Sequence, residues 1–230
     1  MNGIMSRASL MVGRRGMLLG AAAALCVPSP AAEAAAPAGQ LMDGEFELWR
    51  KGSKIGLHRV AFTRRPADLQ VVSEVDLAVK FAMITVYRYR QAAQDLWQEG
   101  RLVASKCTTD DNGAVTELEL MAANGRLQGY GANGRIEVAL GTMTDLCFWN
   151  PAVVRQRGLI DSQTGEFAQL AIQDGAQDAI MLDGMMVRTE HYSLAATKGR
   201  AGDVWYDGDG RLVQAVIRTR GEIIEYRRKA

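Results

Sequence analysis

The sequence predicts an all-β protein, a long antiparallel meander curled into an open barrel or half-barrel, with at most one short helix. Asp-Gly and Asn-Gly pairs recur at short intervals from Asp43 onward, and such pairs supply the positive φ angles of two-residue hairpin turns. The segments between these turns alternate, as where Leu118 and Leu120 alternate with Glu117 and Glu119. This alternation is typical of strands with one wet face.

The first 38 residues are expected to lie outside this fold. Arg14 and Arg15 precede an apolar run at residues 17–27, which an alanine-rich tract follows. This is the order of an export signal, and the run is about half of the roughly 20 residues that span a bilayer. We expect cleavage between about Ala34 and Ala38 and a periplasmic location. The paired arginines favour the twin-arginine route, with the general secretory route as the alternative.

The remaining residues, 39–230, are expected to form a single β-rich domain without a transmembrane anchor. The whole chain has 27 basic and 26 acidic residues. Removal of the signal takes away three arginines and one glutamate, which leaves 24 and 25. A nearly neutral protein lacks the basic face that nucleic acid binding requires. We therefore expect no nucleic acid partner, and the sequence does not indicate an oligomeric state.

One phrase occurs twice in the chain. "LWQEGRLV" and "VWYDGDGRLV" each place a tryptophan, Trp97 or Trp205, before a glycine turn and an alternating segment. Each unit predicts the end of one strand, a tight turn and the start of the next. The units have no fixed period, which argues against a propeller or solenoid. A sheet of ten or more strands tends to curl or close, and the single short helix is expected near residues 151–158, which begin with proline and end with glycine.

Large aromatic side chains are the candidates for a ligand pocket. They would line or rim the concave side of a curled sheet, where apolar ligand sites are usually lined by aromatic and aliphatic groups. The alternative is that they simply fill the core. The candidates are Tyr87, Tyr89, Trp97, Tyr130, Trp149 and Trp205.

The predicted domain contains few residues that are typical of catalytic sites. His58 and His191 are its two histidines, the common enzyme signatures are missing from the sequence, and no catalytic residue, metal site or cofactor is predicted. His58 is expected to point outward, away from Ile55 and Leu57. The segment around His191, with Glu190 and Tyr192, is the one local cluster worth testing for an enzyme.

"TTDDNG", residues 108–113, is the most polar phrase of the chain. Asp110, Asp111 and Asn112 could offer oxygens to calcium. The phrase lacks the ligand spacing of an EF-hand loop, and Asp-Asn-Gly is a strong hairpin turn. We therefore interpret it as a turn.

Two cysteines, Cys107 and Cys147, remain after signal removal. A disulfide between them is possible in an oxidising compartment. It would close a loop of about 40 residues and contribute about 3 to 4 kcal/mol in the chain-entropy model. The alternative is a pair of small buried side chains, which is how free cysteines usually behave.

Several phrases resemble a secreted proteobacterial family catalogued only as a domain of unknown function. They are "GSKIGLHRVAF", "VDLAVKFAMITVYRYR", "LWQEGRL", "TTDDNG", "FWNP" and "VWYDGDGRLV", and the likeness spans about residues 43–228. The resemblance implies no catalytic residue. At the level of fold alone, the pattern is also similar to the curved sheets of periplasmic lipoprotein carriers, and fold does not imply function.

Three functional hypotheses follow. The leading one is a non-catalytic binding or carrier protein for a lipid-like or apolar ligand, which predicts a cavity of several hundred cubic ångströms. The first alternative is an enzyme of unrecognised type that uses the His191 region. The second is an envelope scaffold or protein-interaction module, which predicts a filled barrel with an exposed apolar patch or an unpaired edge.

Overall fold

The computed structural model describes residues 41–229, and in this range fourteen strands form one antiparallel sheet. The strands are β1 (Gly44–Arg50), β2 (Ser53–Arg64), β3 (Asp68–Phe81), β4 (Ile84–Gln98), β5 (Arg101–Asp111), β6 (Ala114–Ala123), β7 (Arg126–Gly131), β8 (Gly134–Ala139), β9 (Gly158–Ile160), β10 (Phe167–Leu182), β11 (Met185–Ala196), β12 (Ala201–Asp207), β13 (Leu212–Thr219) and β14 (Glu222–Arg228). The three helical segments of the described range are short 3₁₀ turns at Cys147–Trp149, Pro151–Arg155 and Thr197–Gly199.

The sheet is a meander joined through its first and last strands. Its order runs from β8 back to β1, then from β14 back to β9, so β8 and β9 are its two ends. These ends approach each other where the Asn133 amide donates to the Thr164 carbonyl at 3.2 Å, but no ladder joins them. The open, curled antiparallel sheet confirms the predicted fold class. We call the end with the β3–β4 turn the upper end and the end with the β10–β11 turn the lower end.

Tight turns join most neighbouring strands as the sequence predicts. Asn112 and Gly113 have φ angles of 55° and 94°, and Asp183 and Gly184 have 47° and 78°. Positive φ at both central positions is the geometry that matches strand twist in two-residue hairpins. Asp174-Gly175 is an exception, because the β10–β11 register shifts there inside β10. The turn expected at that pair is wrong, and a β-bulge takes its place.

A strap of residues 140–157 links β8 to β9 and fills the concave face of the sheet. Met143, Cys147 and Val153 on this strap are fully buried. The Trp149 ring packs edge-on against Phe62 of β2 and Trp97 of β4, with centroids 5.0 and 5.2 Å away. The Tyr206 hydroxyl of β12 donates to the carbonyl of Phe148 on the strap at 2.8 Å. The strap therefore touches strands from both halves of the meander.

The expected short helix lies on this strap. Pro151 occupies the first position of a 3₁₀ turn that ends at Arg155. The Asn150 side chain caps the turn by accepting a hydrogen bond from the Ala152 amide at 3.0 Å. Because proline has no amide proton, it fits the first turn, where amides lack helical partners.

A half-buried ion cluster fixes the start of the strap. Arg200 of the β11–β12 turn donates to Asp145 at 3.0 Å and to Asp161 of the β9–β10 loop at 2.6 Å. The Asp145 carboxylate also accepts from the Ser162 amide at 3.0 Å. Burial, together with the nearby Asp161 charge, raises the pKa of Asp145. One arginine thus joins three connecting segments at the upper end.

Candidate functional site

The interior candidates are core residues. Trp97 and Trp149 are buried at 2% and 7% exposure and contact each other. Two cavities that border Trp149 hold about 30 and 20 Å³. Each has room for one or two water molecules. A drug-sized apolar ligand requires about 300 Å³ or more, so the concave face as it stands is occupied by the protein's own side chains.

Two tyrosines of the candidate set lie toward the upper end. The Tyr87 hydroxyl donates to Asp111 at 2.6 Å, and the same carboxylate accepts from Gln163 at 3.1 Å and from Arg220 at 2.7 Å. Burial and the Asp111 contact raise the pKa of Tyr87 to about 12. Burial alone would raise the pKa of Asp111, but its three donors lower it. Tyr89 is half-buried, and burial raises its pKa.

The other two candidates do not face the interior. Tyr130 on β7 is 67% exposed. Trp205 stacks on His191 on the opposite side of the sheet from the strap, with ring centroids 4.4 Å apart, and its indole nitrogen donates to Asp178 at 2.8 Å. The six aromatic residues are therefore divided among the core, the upper rim and the outer surface, and they do not form one pocket.

The segment "TTDDNG" is the end of β5 and the turn that follows it, with the turn at Asn112-Gly113. The Asp110 carboxylate accepts from the Gly113 amide at 2.8 Å, and the Asn112 side chain accepts from the Arg88 amide at 3.3 Å. Asp111 is engaged by Tyr87 and Arg220. Among residues 41–229, no group of three or more His, Cys, Asp or Glu side chains is arranged to hold a metal ion.

The His191 region does not have the order of a Ser-His-Asp catalytic triad. The His191 Nε2 atom lies 3.0 Å from Asp203 Oδ1, and the Ser193 hydroxyl donates to the same oxygen at 2.5 Å. Arg218 also bonds this carboxylate. In a catalytic triad the histidine stands between serine and aspartate, whereas here the aspartate stands between the other two.

The partners proposed for His191 are also separated from it. Glu190 and Tyr192 flank His191 on β11, so they project from the opposite face of the strand. Both lie next to Gly175 of β10. His191, Ser193, Asp203 and Arg218 therefore form a structural polar cluster on the outer face of the sheet.

His58 corrects the outward orientation expected from its neighbours. It is buried between the rings of Phe46 and Tyr226, with centroids 6.0 and 5.8 Å away. It shares the inward face of β2 with Val60. Its Nε2 atom is buried without a hydrogen-bond partner, and burial lowers its pKa to about 4.

Asp95 is a second buried polar group in the core, and it lies opposite Ser105 of β5. It is 3% exposed, and one of its carboxylate oxygens has no hydrogen-bond partner. The other accepts from the Cys147 thiol at 3.8 Å. Burial raises the pKa of Asp95 to about 6. Asp95 lies between Ala93 and Trp97 on the inward face of β4, so strand alternation could have predicted that its side chain is buried.

The possible disulfide is not formed in this structure. Cys107 and Cys147 are both free and buried. The Cys147 thiol lies 3.4 Å from the Thr144 hydroxyl, and that of Cys107 lies 3.9 Å from the Thr109 hydroxyl. Burial raises the pKa of Cys107 to about 12 and that of Cys147 as well. Each cysteine therefore packs as a small core side chain.

The open surface of the sheet offers a different kind of site. β9 pairs with β10 only from Phe167 to Gln169. Beyond the Leu170 amide, which donates to the Arg157 carbonyl at 2.9 Å, no described strand pairs with this edge of β10. Residues 175–179 are exposed. The edge of β10 thus has no strand beside it for about twelve residues, and within this stretch the Ala179 amide donates to the Asp178 side chain at 2.7 Å.

This edge is acidic. From Glu166 to Val187 the sequence contains aspartate and glutamate but no lysine or arginine. Natural sheets commonly protect exposed edges with lysine, proline or a bulge. Here the bulge at Gly175 is present, while lysine and proline are missing from β10.

These features define a class of protein: a barrel-like, open antiparallel sheet whose interior is filled by its own strap. The chain belongs to the family described as "Domain of unknown function (DUF6134)", whose model matches residues 46–229. The resemblance noted in the sequence is confirmed at this level.

A solved structure shares the fold. It is the beta-barrel-like protein of domain of unknown function DUF1849 from Brucella abortus, which is similar with a TM-score of 0.58 and 10% identity, over 83% of this chain and 97% of that one. No curated protein matches the chain. Within residues 41–229, no helix has the length and apolar character needed to cross a membrane.

Proposed function

We propose that the protein is a non-catalytic scaffold of the cell envelope that binds an extended, basic segment of another protein along the open edge of β10. The observation that carries the proposal is this unpaired, acidic edge on a sheet with a filled interior. An added strand would satisfy the free amides and carbonyls of β10 by β-augmentation. Lysine or arginine side chains on the added strand would complement the acidic edge.

The leading sequence-based hypothesis, an apolar carrier, requires an interior cavity. The strap occupies that space, and the two cavities beside Trp149 hold only a few water molecules. The enzyme alternative depends on the His191 region, where His191 and Ser193 both bond Asp203 and the order of a catalytic triad is missing. The scaffold alternative predicts a filled barrel and an unpaired edge, and both features support it.

Nuclear magnetic resonance with a synthetic peptide tests the proposal. The probe is a decapeptide that alternates lysine with threonine and valine, added at millimolar concentration to the isotopically labelled chain from residue 39 onward. This chain retains every described strand. We expect amide shifts confined to β10 and its neighbours. The matching peptide with glutamate in place of lysine should bind at least tenfold more weakly.

Variants locate the binding. Ala171→Lys combined with Ala179→Lys places two positive charges on exposed positions of the edge and should abolish the shifts. Ala61→Lys combined with Ala123→Lys adds the same charge at exposed positions of β2 and β6 and should leave them unchanged. Absence of binding, equal binding of both peptides, or shifts away from β10 would each overturn the proposal.

A further inference from the structure

The β3–β4 hairpin extends past the end of β5 at the upper end, and it separates there from β2, which itself continues to Ser53. β2 pairs with β3 only as far as Leu77, and β5 pairs with β4 only from Tyr89. Beyond these pairs the two strands of the hairpin pair only with each other, and the Arg88 carbonyl accepts from the Asn112 amide of the β5–β6 turn at 2.8 Å. At about 3.3 Å per residue, four residues of overhang extend about 13 Å. This is the scale of the depth at which amphipathic elements lie in a membrane interface.

The end of this hairpin carries a concentrated set of exposed apolar side chains. Phe81 is 77% exposed, Met83 95%, Ile84 69% and Val86 54%. A loop tip in contact only with water is normally polar. Four large apolar groups around one turn instead form an exposed apolar patch that marks an interaction site.

The charged residues nearest the turn are basic, and the acidic residues Asp76 on β3 and Asp110 on β5 lie opposite Arg90. From Leu77 to Gln94 the sequence contains no aspartate or glutamate, whereas Lys80, Arg88 and Arg90 are basic. Arg88 is paired with Asp76 at 2.9 Å. Lys80 and Arg90 are exposed and stand on the face of the hairpin opposite Phe81. Long basic side chains beside an apolar tip can reach the headgroups while the tip enters the acyl boundary.

We propose that the β3–β4 tip inserts into the surface of a lipid bilayer that contains anionic headgroups. Phe81, Met83 and Ile84 enter the interface, and Lys80 and Arg90 contact the lipid phosphates. The proposal does not depend on the β10 edge. The β10–β11 turn lies at the opposite end of the sheet, so a bilayer at the upper end leaves the β10–β11 end free.

The lower hairpin supplies an internal control. Met181, Met185 and Met186 make its end apolar as well, with exposures of 61%, 69% and 61%. Its turn contains Asp183, and its nearest basic residue is Arg188. The two ends therefore present similar apolar groups with opposite charge. If charge and shape select the bilayer, only the upper end should bind.

Vesicle flotation of the chain from residue 39 onward tests the proposal. The expected apolar signal segment is left out because it would bind lipid by itself. The probes are vesicles of phosphatidylethanolamine and phosphatidylglycerol, with pure phosphatidylcholine for comparison. We expect binding to the anionic vesicles that weakens as salt is added.

Three variants distinguish the outcomes. Phe81→Ser with Met83→Ser should lower the partition coefficient more than tenfold, because each removes a large apolar group from the interface. Met185→Ser with Met186→Ser should bind as the parent does. Lys80→Gln with Arg90→Gln should reduce the preference for anionic vesicles. All six positions are exposed, so unchanged thermal unfolding is the control for folding.

Several results would overturn the proposal. They are absence of vesicle binding by the parent chain, equal loss from the two serine pairs, and binding that is indifferent to lipid charge. Sedimentation of the protein without lipid tests whether the tip contacts a second copy of the chain instead of a bilayer. If the parent self-associates and the Phe81→Ser, Met83→Ser variant does not, the tip contacts a second copy and the bilayer assignment is wrong.

Discussion

Replacement of Asp95 by asparagine should change the pH dependence of stability in a defined direction. Asp95 is buried in the core, and one carboxylate oxygen has no partner. Burial raises its pKa from 3.8 to about 6 in the folded protein. The protonated form is therefore favoured by folding. Its stabilising contribution is complete below pH 3.8 and is lost as the pH rises through about 6.

The magnitude follows from the two pKa values. A change from 3.8 to about 6 corresponds to about 3 kcal/mol, because each pH unit contributes about 1.4 kcal/mol. Asparagine is neutral throughout and lacks this dependence. The free energy of unfolding of Asp95→Asn minus that of the parent should therefore increase by about 2.5 kcal/mol between pH 4 and pH 7.

His58 supplies the matched counterpart with the opposite sign. Burial lowers its pKa from 6.5 to about 4, so the unfolded chain binds its proton first as the pH falls. The parent loses about 3 kcal/mol between pH 6.5 and pH 4 for this reason. A His58→Phe variant removes that loss. In the parent the His58 and Asp95 effects oppose each other over the same pH range and largely cancel.

Urea unfolding from pH 4 to pH 7, followed by tryptophan fluorescence, measures both differences. We expect the Asp95→Asn difference to rise with pH and the His58→Phe difference to fall. A flat profile for Asp95→Asn would show that the Asp95 carboxylate is hydrated or paired, and a falling profile would contradict the assigned burial.

Two further predictions concern the interior. Trp149→Ala should lower the free energy of unfolding by about 3 to 5 kcal/mol, as a large cavity in a core does. The reason is that the Trp149 ring joins Phe62 to Trp97. A loss below about 1 kcal/mol in urea unfolding would show that the strap is not packed there. Cys107 and Cys147 should resist a thiol reagent in the folded protein and react fully in denaturant, since both are buried and free; mass spectrometry that finds them joined and unreactive even in denaturant would contradict this.

The fold could be predicted because its signals are local. Residue pairs such as Asn112-Gly113 and Asn124-Gly125 have the positive φ angles that the sequence indicates. Alternation then places Leu118 and Leu120 in the core. Turn chemistry and side-chain period both act between neighbouring residues, so they can be read without knowledge of distant contacts.

The arrangement of the site depends on distant contacts and could not be predicted in this way. His58 is buried because Val60 shares its face, and the choice between the two faces of β2 is made by the sheet as a whole. The strap around Trp149 lacks a repeating pattern that would place it inside the curl. How far β3 and β4 extend past their last pairs with β2 and β5 depends on the register between these strands.

The pairing of β1 with β14 has a consequence for the order in which the protein forms. Phe46 lies opposite Arg228, so the centre of the sheet joins segments separated by almost the whole chain. The two arms, β2–β8 and β9–β13, are built from sequential hairpins, but the join between them must wait for the last strand to be synthesised. Contacts of such long range slow folding. If the chain is exported by the twin-arginine route, as Arg14 and Arg15 predict, this join would be able to form before the chain crosses the membrane.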